Sequence, residues 1–527
     1  MSFKTTSLRS RQRKKAVKKT FLQAFSLVML GIRKILIFPL SLFDVLRKIR
    51  FSWVWRTLSV VFIVVALFAA LLGTDIGRQA GKNAISGAVF SLGADLPKDE
   101  HGLTNILLLG VGGGEFHADK GHKLTDSMMV VSLDIAGRSA VLLSVPRDLY
   151  VETPYVRGRI NEILRDESLV HFREIKKQPE HAEALQHLSG EAKQEYIWKL
   201  EGEADAIATE SLRKEIEEIL NIDIQRTARI DFKGFIDIVD AIGGIDIFVE
   251  KPISDPTYPD FGWGYNPFTI SVGAQTLDGE TALKYARSRH GSSDFDRALR
   301  QQNVINAVKE KMISLDVLTS PARLQGIFSV IQENFVSDIS WDEIITLAKF
   351  GSQLPRERMV SHVLNDDPSQ PGGFLVTPDR SLYGGAFVLV PFLNMTPDKY
   401  AQIRAFARTI FFNRSAAGID PISLVLFNGT KKSGVASTLR TGLERYGWRV
   451  SDVDNAAESI TKTQIRYSDD PKSTALAKLL LGYFSAELVP VPRQATEEGV
   501  LPDPFIHVFI GDDFSGVYRI PDFSESL

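Results

Sequence analysis

Cysteine is absent from all 527 residues. That excludes disulfides, thiolate nucleophiles and Cys-based zinc or iron–sulfur sites, and it is compatible with a domain held outside the cytoplasm. Complete nucleotide-binding signatures are missing as well. Gly110-Val111-Gly112-Gly113-Gly114 follows an apolar run, but Glu115 stands where a third dinucleotide-fold glycine belongs, and no Gly-Lys-Ser/Thr closes a phosphate loop. Asn428-Gly429-Thr430 with Gly434 fails both patterns and reads as a tight strand-to-helix turn. There is no Gly-x-Ser-x-Gly elbow, so His290 beside Ser292 is no evidence of a catalytic triad. His117, Asp119 and His122 are candidate metal ligands, on a spacing so loose that idle loop residues are the plainer reading. Internal repeats and low-complexity tracts are lacking too.

Acid is scarce at the start and base is scarce afterwards. Residues 1–56 hold fourteen Lys/Arg against the single acid Asp44, which leaves 48 basic and 63 acidic residues for 57–527, a balance of −15. Arginine clusters in the bulk of the chain must therefore be local. Between these regions Thr57–Gly73 (TLSVVFIVVALFAALLG) carries no charge and follows Trp53 and Trp55. With its flanks it approaches the ~20 residues needed to cross a bilayer, too far from the N-terminus for a cleaved signal peptide. The basic side lies before it, which predicts a single-pass membrane protein with a cytoplasmic N-terminus and the main domains outside. Phe21–Phe43 is apolar but interrupted by Arg33, Lys34 and Pro39, and reads as an interfacial helix. The run Arg9–Lys19 reads as an orientation signal and lipid-headgroup contact rather than a nucleic-acid site.

The remainder is long enough for full cores. After a stalk over 74–101, three apolar runs (Asn105–Leu109, Met128–Leu133, Ala140–Val145) predict strands, the last two joined as a hairpin by Asp134–Arg138. Residues 163–220 read as helices. An amphipathic helix from Asp231 stops at Gly243-Gly244, ahead of a strand at Ile245–Val249 and an aromatic loop from Pro252 to Pro267. The expected fold class is α/β (α+β), a central mixed sheet flanked by helices over 102–415. A small βαβ-type domain is expected over 420–515, with strands at Ile422–Phe427, Arg449–Val453 and Ile506–Ile510 and helices at Val435–Tyr446 and Thr474–Phe484.

The most informative stretch is Ala282–Val304, ALKYARSRHGSSDFDRALRQQNV. Arg287 and Arg289 stand two apart, just beyond a helix that begins near Asp278-Gly279, and in extended backbone such positions point to one side. Asp294 sits where an N-cap belongs, with Arg297 and Gln301 on its own face at i+3 and i+7. Forked guanidiniums suit phosphate oxygens. A surface salt-bridge lattice is the bland alternative, but Arg-x-Arg outside a helix gains nothing from i,i+4 pairing. Three further segments carry charge at strand ends: Leu124-Thr125-Asp126-Ser127, Ser144-Val145-Pro146-Arg147-Asp148 and Arg159-Ile160-Asn161.

With these segments, the order NILLLG, TDSMM, SVPRD, RIN, GFIDIVDAIGGID, then RSRH, DFDR and RQQ over about 103–400 resembles the LytR-CpsA-Psr family. Residues 422–510 resemble the LytR C-terminal domain through VLFNGT and TQIRY. The resemblance implies an extracytoplasmic phosphotransferase that moves a glycopolymer from a polyprenyl-diphosphate carrier to peptidoglycan. It implies that Arg147, Arg287 and Arg289 grip the diphosphate as catalytic residues, and that Asp148 orients Arg147 or accepts the hydroxyl proton. Arg159, Arg297 and Gln301 would bind substrate around them, and Asp126 and Asp294 would hold Mg²⁺. Two features depart from the family: Gly112 replaces an Asp usual two residues after the first-strand glycine, so that either Glu115, His117 or Asp119 substitutes or the metal is held more weakly, and the helical stretch 166–210 is long. The competing functions are a polyprenyl-diphosphate or wall-glycan binder without turnover, and a hydrolase of the lipid diphosphate.

Overall fold

The computed structural model describes residues 94–112, 123–258, 264–288, 294–314, 335–414, 422–493 and 503–518, with Ser329, Ile419 and 520–521; residues 294–296 and 298 are described by backbone alone. Among them no helix is long and apolar enough to cross a membrane. The expected anchor at 57–73, the basic segment before it and the loop with Glu115, His117, Asp119 and His122 lie outside the described residues, as does Arg289.

Six strands build the central sheet: β1 (Thr104–Gly112), β2 (Leu124–Asp134), β3 (Ser139–Val145), β4 (Arg226–Asp231), β5 (Phe335–Ser337) and β6 (Met359–Val363). Their order is β5-β4-β1-β2-β3-β6. The β2–β3 hairpin is antiparallel as expected, whereas β4 joins β1 and β6 joins β3 in parallel, which makes the sheet mixed. The strands read as nearly continuous apolar runs because both faces are covered. Leu107 and Leu109 pack into one core with Ile163 of helix α1 (Ile163–Lys177) and with Leu212, Ile216 and Ile219 of helix α3 (Gly190–Leu220). Ile106, Met129 and Leu142 face the other way, against Phe350 and Leu354 at the end of α7 (Trp341–Gln353). A short helix α2 (Pro179–His187) links α1 to α3.

The segment after β4 sits over the second face. Asp231 caps helix α4 (Phe232–Ala241), its carboxylate accepting from the Gly234 N–H at 2.7 Å. Gly279 opens helix α5 (Gly279–Arg287), and a Cβ there would lie 2.4 Å from the Ile236 carbonyl oxygen, so only glycine lets the two helices meet. The Asp240 carboxylate accepts from the Gly279 N–H at 2.8 Å and fixes that contact. Helix α6 (Asp294–Ser314) completes the layer, and Val304 and Ala307 join the core formed by α4, α5 and the Ile245–Val249 strand. Within the loop expected over Pro252–Pro267, Ile253–Asp255 forms a strand that pairs antiparallel with Phe268–Ile270, where Phe268 and Ile270 bury one face.

The C-terminal unit is a five-stranded sheet with Ser423–Asn428 and Phe505–Ile510 parallel at its centre, packed by α9 (Val435–Arg445) and α10 (Pro471–Leu481). Two of its strands, Gln464–Ser468 and Glu487–Val491, go beyond the sequence reading, and the strand expected at Arg449–Val453 pairs at Asp452–Asn455 instead. This unit shares one core with the first sheet. Phe406 and Ile410, on helix α8 (Ala401–Ala407) and the turn after it, and Phe374 bury among Tyr446, Trp448 and Tyr483.

Arg414 is buried against the hairpin, donating to the Ser139 hydroxyl at 3.0 Å and to the Ser132 carbonyl and hydroxyl at 3.3 Å, which explains two serines inside an apolar sheet. Arg414→Ala strands those groups and should cost about 3 kcal/mol in chemical denaturation. On α3, burial raises the Glu215 carboxyl to about 7 from its ordinary 4.5, with Glu218 adding to the rise. The unfolded chain therefore releases that proton more easily, and stability should fall as pH climbs from 4.5 to 7. Glu215→Gln should remove this part of the slope and melt higher by about 2 °C at pH 8, read by calorimetry at several pH values.

Candidate active site

The centre of the site is a break in the ladder between β1 and β2. Gly110 pairs with Ser127 and Val111 with Thr125, so Asp126 is an extra residue with no partner opposite. A bulge of this kind re-aims a side chain off the pleat. Asp126 turns to Arg147, just past β3, whose Nη1 donates to its Oδ1 at 2.6 Å. The other carboxylate oxygen leans over Gly112, where an added Cβ would lie 2.7 Å from Asp126 Oδ2 and 3.3 Å from the Phe232 ring. A side chain at 112 would therefore push the Asp126 carboxylate aside.

A second pair of charges backs the first. Asp148 is buried, with Oδ2 3.5 Å from Arg147 Nε and Oδ1 3.5 Å from Arg159 Nη1. Arg159 also binds Glu162 at 2.8 Å, and that carboxylate raises its guanidinium above the ordinary value. The Arg147 guanidinium is therefore clamped between Asp126 and Asp148 before any ligand arrives.

Arg287 comes from the other layer. Contrary to the expectation of an extended position, it is the last residue of α5, and the chain turns extended only at Ser288. Asp278 caps the N-terminus of this helix and Asp240 locks it to α4. Its guanidinium lies 4.0 Å from the centroid of Phe232, a cation–π contact, and donates to the Tyr258 hydroxyl at 3.2 Å. Burial raises the Tyr258 phenol, so it stays protonated. Behind Ser288, buried Arg300 donates to the carbonyls of Tyr285 and Ser288, and the Ser288 hydroxyl donates to Asp255 at 2.9 Å. Phe232, Tyr258, Asp255 and Arg300 escaped the sequence reading. Only Arg300 left a trace there, three residues after Arg297 and so on a helical face with it.

Between sheet and helices lies an apolar cavity of about 730 Å³, floored by Leu108, Met129 and Ile230 and walled by Phe232, Phe235 and Leu283. Asp126, Arg147, Arg287, Arg297 and Gln301 all line it. Gln301 accepts from the Ser127 hydroxyl at 3.2 Å, which ties α6 to β2 beside the bulge. A second cavity of about 300 Å³ shares Asp126, Ser127, Arg147, Arg297 and Gln301 with the first, so the two meet at the charged cluster. Asp148 and Arg159 line neither and stand behind Arg147. Asp294 begins α6 one helical turn before Arg297, which itself lines both cavities, while the Asp294 side chain lies outside the described residues.

Among the described residues no three His, Cys, Asp or Glu side chains gather as a metal site. Asp126 is a hard oxygen donor at the meeting point of both cavities, and magnesium is commonly held by one or two carboxylates plus phosphate oxygens.

A greasy chamber capped by guanidiniums is a site for an amphiphile with an anionic head. The sequence profile of the LytR_cpsA_psr family matches residues 74–376, more than half of the chain, and the protein belongs to that family. A second profile, described as LytR cell envelope-related transcriptional attenuator, matches residues 422–514. The chain is 25% identical over 433 residues to the cell wall biosynthesis protein LcpA of Corynebacterium glutamicum, covering 77% of this chain and 74% of that protein. It is 25% identical over 307 residues to the polyisoprenyl-teichoic acid–peptidoglycan teichoic acid transferase TagU of Enterococcus faecalis, covering 56% of this chain and 82% of that protein. Among solved structures it is similar to B. subtilis TagV, at 20% identity and a TM-score of 0.39, over 58% of this chain and 97% of that one.

Gly112→Asp would set a second carboxylate against Asp126, a like-charge contact that a divalent cation relieves. Melting temperature should then rise with added Mg²⁺ by several degrees more than in the parent protein. Equal responses would show that position 112 does not reach the cation.

Proposed function

We propose that this protein is a membrane-anchored, extracytoplasmic phosphotransferase that moves a glycopolymer from a polyprenyl-diphosphate carrier to peptidoglycan. The observation that carries the reading is the apolar cavity of about 730 Å³ with Arg147, Arg287 and Arg297 in its lining. A polyprenyl chain needs a dry chamber, and a diphosphate needs fixed cations where that chamber meets water. Sequence similarity to LcpA and TagU supports the same class of reaction.

The chemistry follows from positioning and charge. As the bond to the lipid phosphate breaks, negative charge builds on the departing oxygen and spreads over the transferred phosphoryl group. Arg147, hydrogen-bonded to Asp126 and with Asp148 3.5 Å from its Nε, presents a preorganised cation to that charge. Arg287, stacked on Phe232, does so from the helical side, with Arg289 and Arg297 as further donors. Asp148, buried between two arginines, acts as the orienting group rather than as the proton acceptor. Asp126 and Asp294 would hold Mg²⁺ together with diphosphate oxygens. When bound, the ion neutralises phosphate charge.

Arg287→Ala should lower transfer from a synthetic polyprenyl-diphosphate sugar by about a hundredfold or more while the melting temperature stays within a few degrees. Wild-type rates in that variant would remove Arg287 from the reaction. A reporter fused after Leu527 should be active only outside the cytoplasm, and a cytoplasmic signal would overturn the topology.

A further inference from the structure

The second cavity opens on the same charged cluster as the first. Its far wall is the turn after β6, with Asn365, Asp366 and Gln370, together with Phe387. This turn is rigid. The Asn365 side-chain amide donates to the carbonyls of Val363 and Pro371, both at 2.9 Å, and its oxygen accepts from the Asp367 N–H at 3.0 Å. Gly373 closes the turn so tightly that a Cβ there would lie 1.9 Å from the Asp367 carbonyl oxygen. The floor holds Ser144, 93% buried, whose hydroxyl has no hydrogen-bond partner among the described residues.

The turn is also braced from outside by the C-terminal unit. The Gly372 N–H donates to the Arg445 carbonyl, and Arg445 Nε donates back to the Gly373 carbonyl, each at 2.9 Å. The same guanidinium stacks on Phe374 at 4.6 Å. The second matched region thus holds one wall of the second cavity in place.

In-line displacement at phosphorus requires the attacking oxygen to approach opposite the leaving group. If the lipid phosphate departs toward the apolar chamber, the attacker enters from the other cavity. A carboxylate, an amide and a half-exposed aromatic ring are the groups that recognise a sugar, by hydrogen bonds to its hydroxyls and by stacking on its apolar face. We propose that the second cavity is the acceptor-sugar subsite, with Asp366 receiving the attacking hydroxyl, Gln370 and Ser144 its neighbours, Phe387 the ring platform, and the C-terminal unit the brace of that wall. This inference rests on the transferase reading. In the step it describes, the sugar oxygen forms a bond to the glycan-bearing phosphorus, the P–O bond to the lipid phosphate breaks, and polyprenyl monophosphate leaves with the electron pair. The hydroxyl proton passes to the Asp366 carboxylate and then to water. Asp367 is less suited, because its carboxylate already accepts from the N–H and hydroxyl of Ser369.

The test uses equilibrium binding and turnover on the full chain in detergent. The probes are an uncrosslinked N-acetylglucosamine–N-acetylmuramic acid fragment and a polyprenyl-diphosphate disaccharide. Asp366→Asn and Phe387→Ala should each weaken fragment binding, and raise its KM, by about tenfold, with donor binding unchanged. Arg445→Met should act in the same direction by about threefold. Weakened donor binding with unchanged fragment binding would assign the cavity to the donor's sugar and overturn the proposal. Unchanged binding of both would equally overturn it. Fragment binding needs no turnover, so a wild type that binds the fragment yet transfers nothing would sink the transferase reading and leave this result readable.

Discussion

The site depends on one ion pair, Arg147 with Asp126, and on the bulge that makes it possible. Were β2 to pair regularly with β1 through Asp126, that carboxylate would take its place in the alternation and point with one face of the pleat. The skipped residue frees it to swing along the sheet edge to Arg147. The pair is only partly buried, with side chains 18% and 28% exposed, so it adds modestly to stability. Its consequence is geometric. It fixes a guanidinium where the apolar chamber and the second cavity meet.

The second constraint is the shared core. Phe374, Phe406 and Ile410 of the first unit bury against Tyr446, Trp448 and Tyr483 of the second, with aromatic centroids 4.7 Å apart between Phe374 and Tyr446. At roughly 2 kcal/mol per large apolar side chain taken out of water, this junction is worth several side chains' burial and cannot open cheaply. The C-terminal unit is therefore part of the wall behind the turn at 365–373. Removing it would uncover that core as well as delete a domain.

Much of this was legible in the sequence because the fold is locally consistent. Near-continuous runs such as NILLLG and AVLLSV predict strands buried on both sides, and Asp231 and Asp278 announce helix starts with their caps. Arg147, Arg287, Arg297, Gln301 and Asp126 were identifiable by residue type and order, and they do line one cavity. What stayed hidden was tertiary. No periodicity reveals that Asp126 is a bulge, that Phe232 lies beneath Arg287, or that Arg300 braces the end of α5 through two carbonyls. Arg-x-Arg reads as a loop motif, whereas the helix runs through Arg287, with Arg300 bonded to carbonyls at its end. The strands at 464–468 and 487–491 were missed because their apolar residues are interrupted by Arg466 and Pro490, tolerable here because the second of them lies at the sheet edge.

Charge balance links the ion pair to the proposed reaction. In the structure as it stands, Asp126 and Asp148 largely neutralise Arg147, which keeps a partly buried cation affordable without ligand. An arriving diphosphate competes with Asp126 for the same guanidinium, and carboxylate and phosphate then face each other as like charges. The conflict is mild at Asp148, which also has Arg159 as a partner. It is acute at Asp126, whose second oxygen points over Gly112 and, among the described residues, pairs with no cation besides Arg147. Either Asp126 gains a new positive partner when the substrate enters, or it weakens binding of the group that the cavity is shaped for. A divalent ion bound by Asp126 and Asp294 together with the diphosphate would resolve that conflict, since phosphate oxygens would supply the remaining anionic ligands. With glycine rather than a further carboxylate at position 112, such a site would depend on its substrate to complete the cation's surroundings, and its affinity for the ion alone should be lower than that of Gly112→Asp.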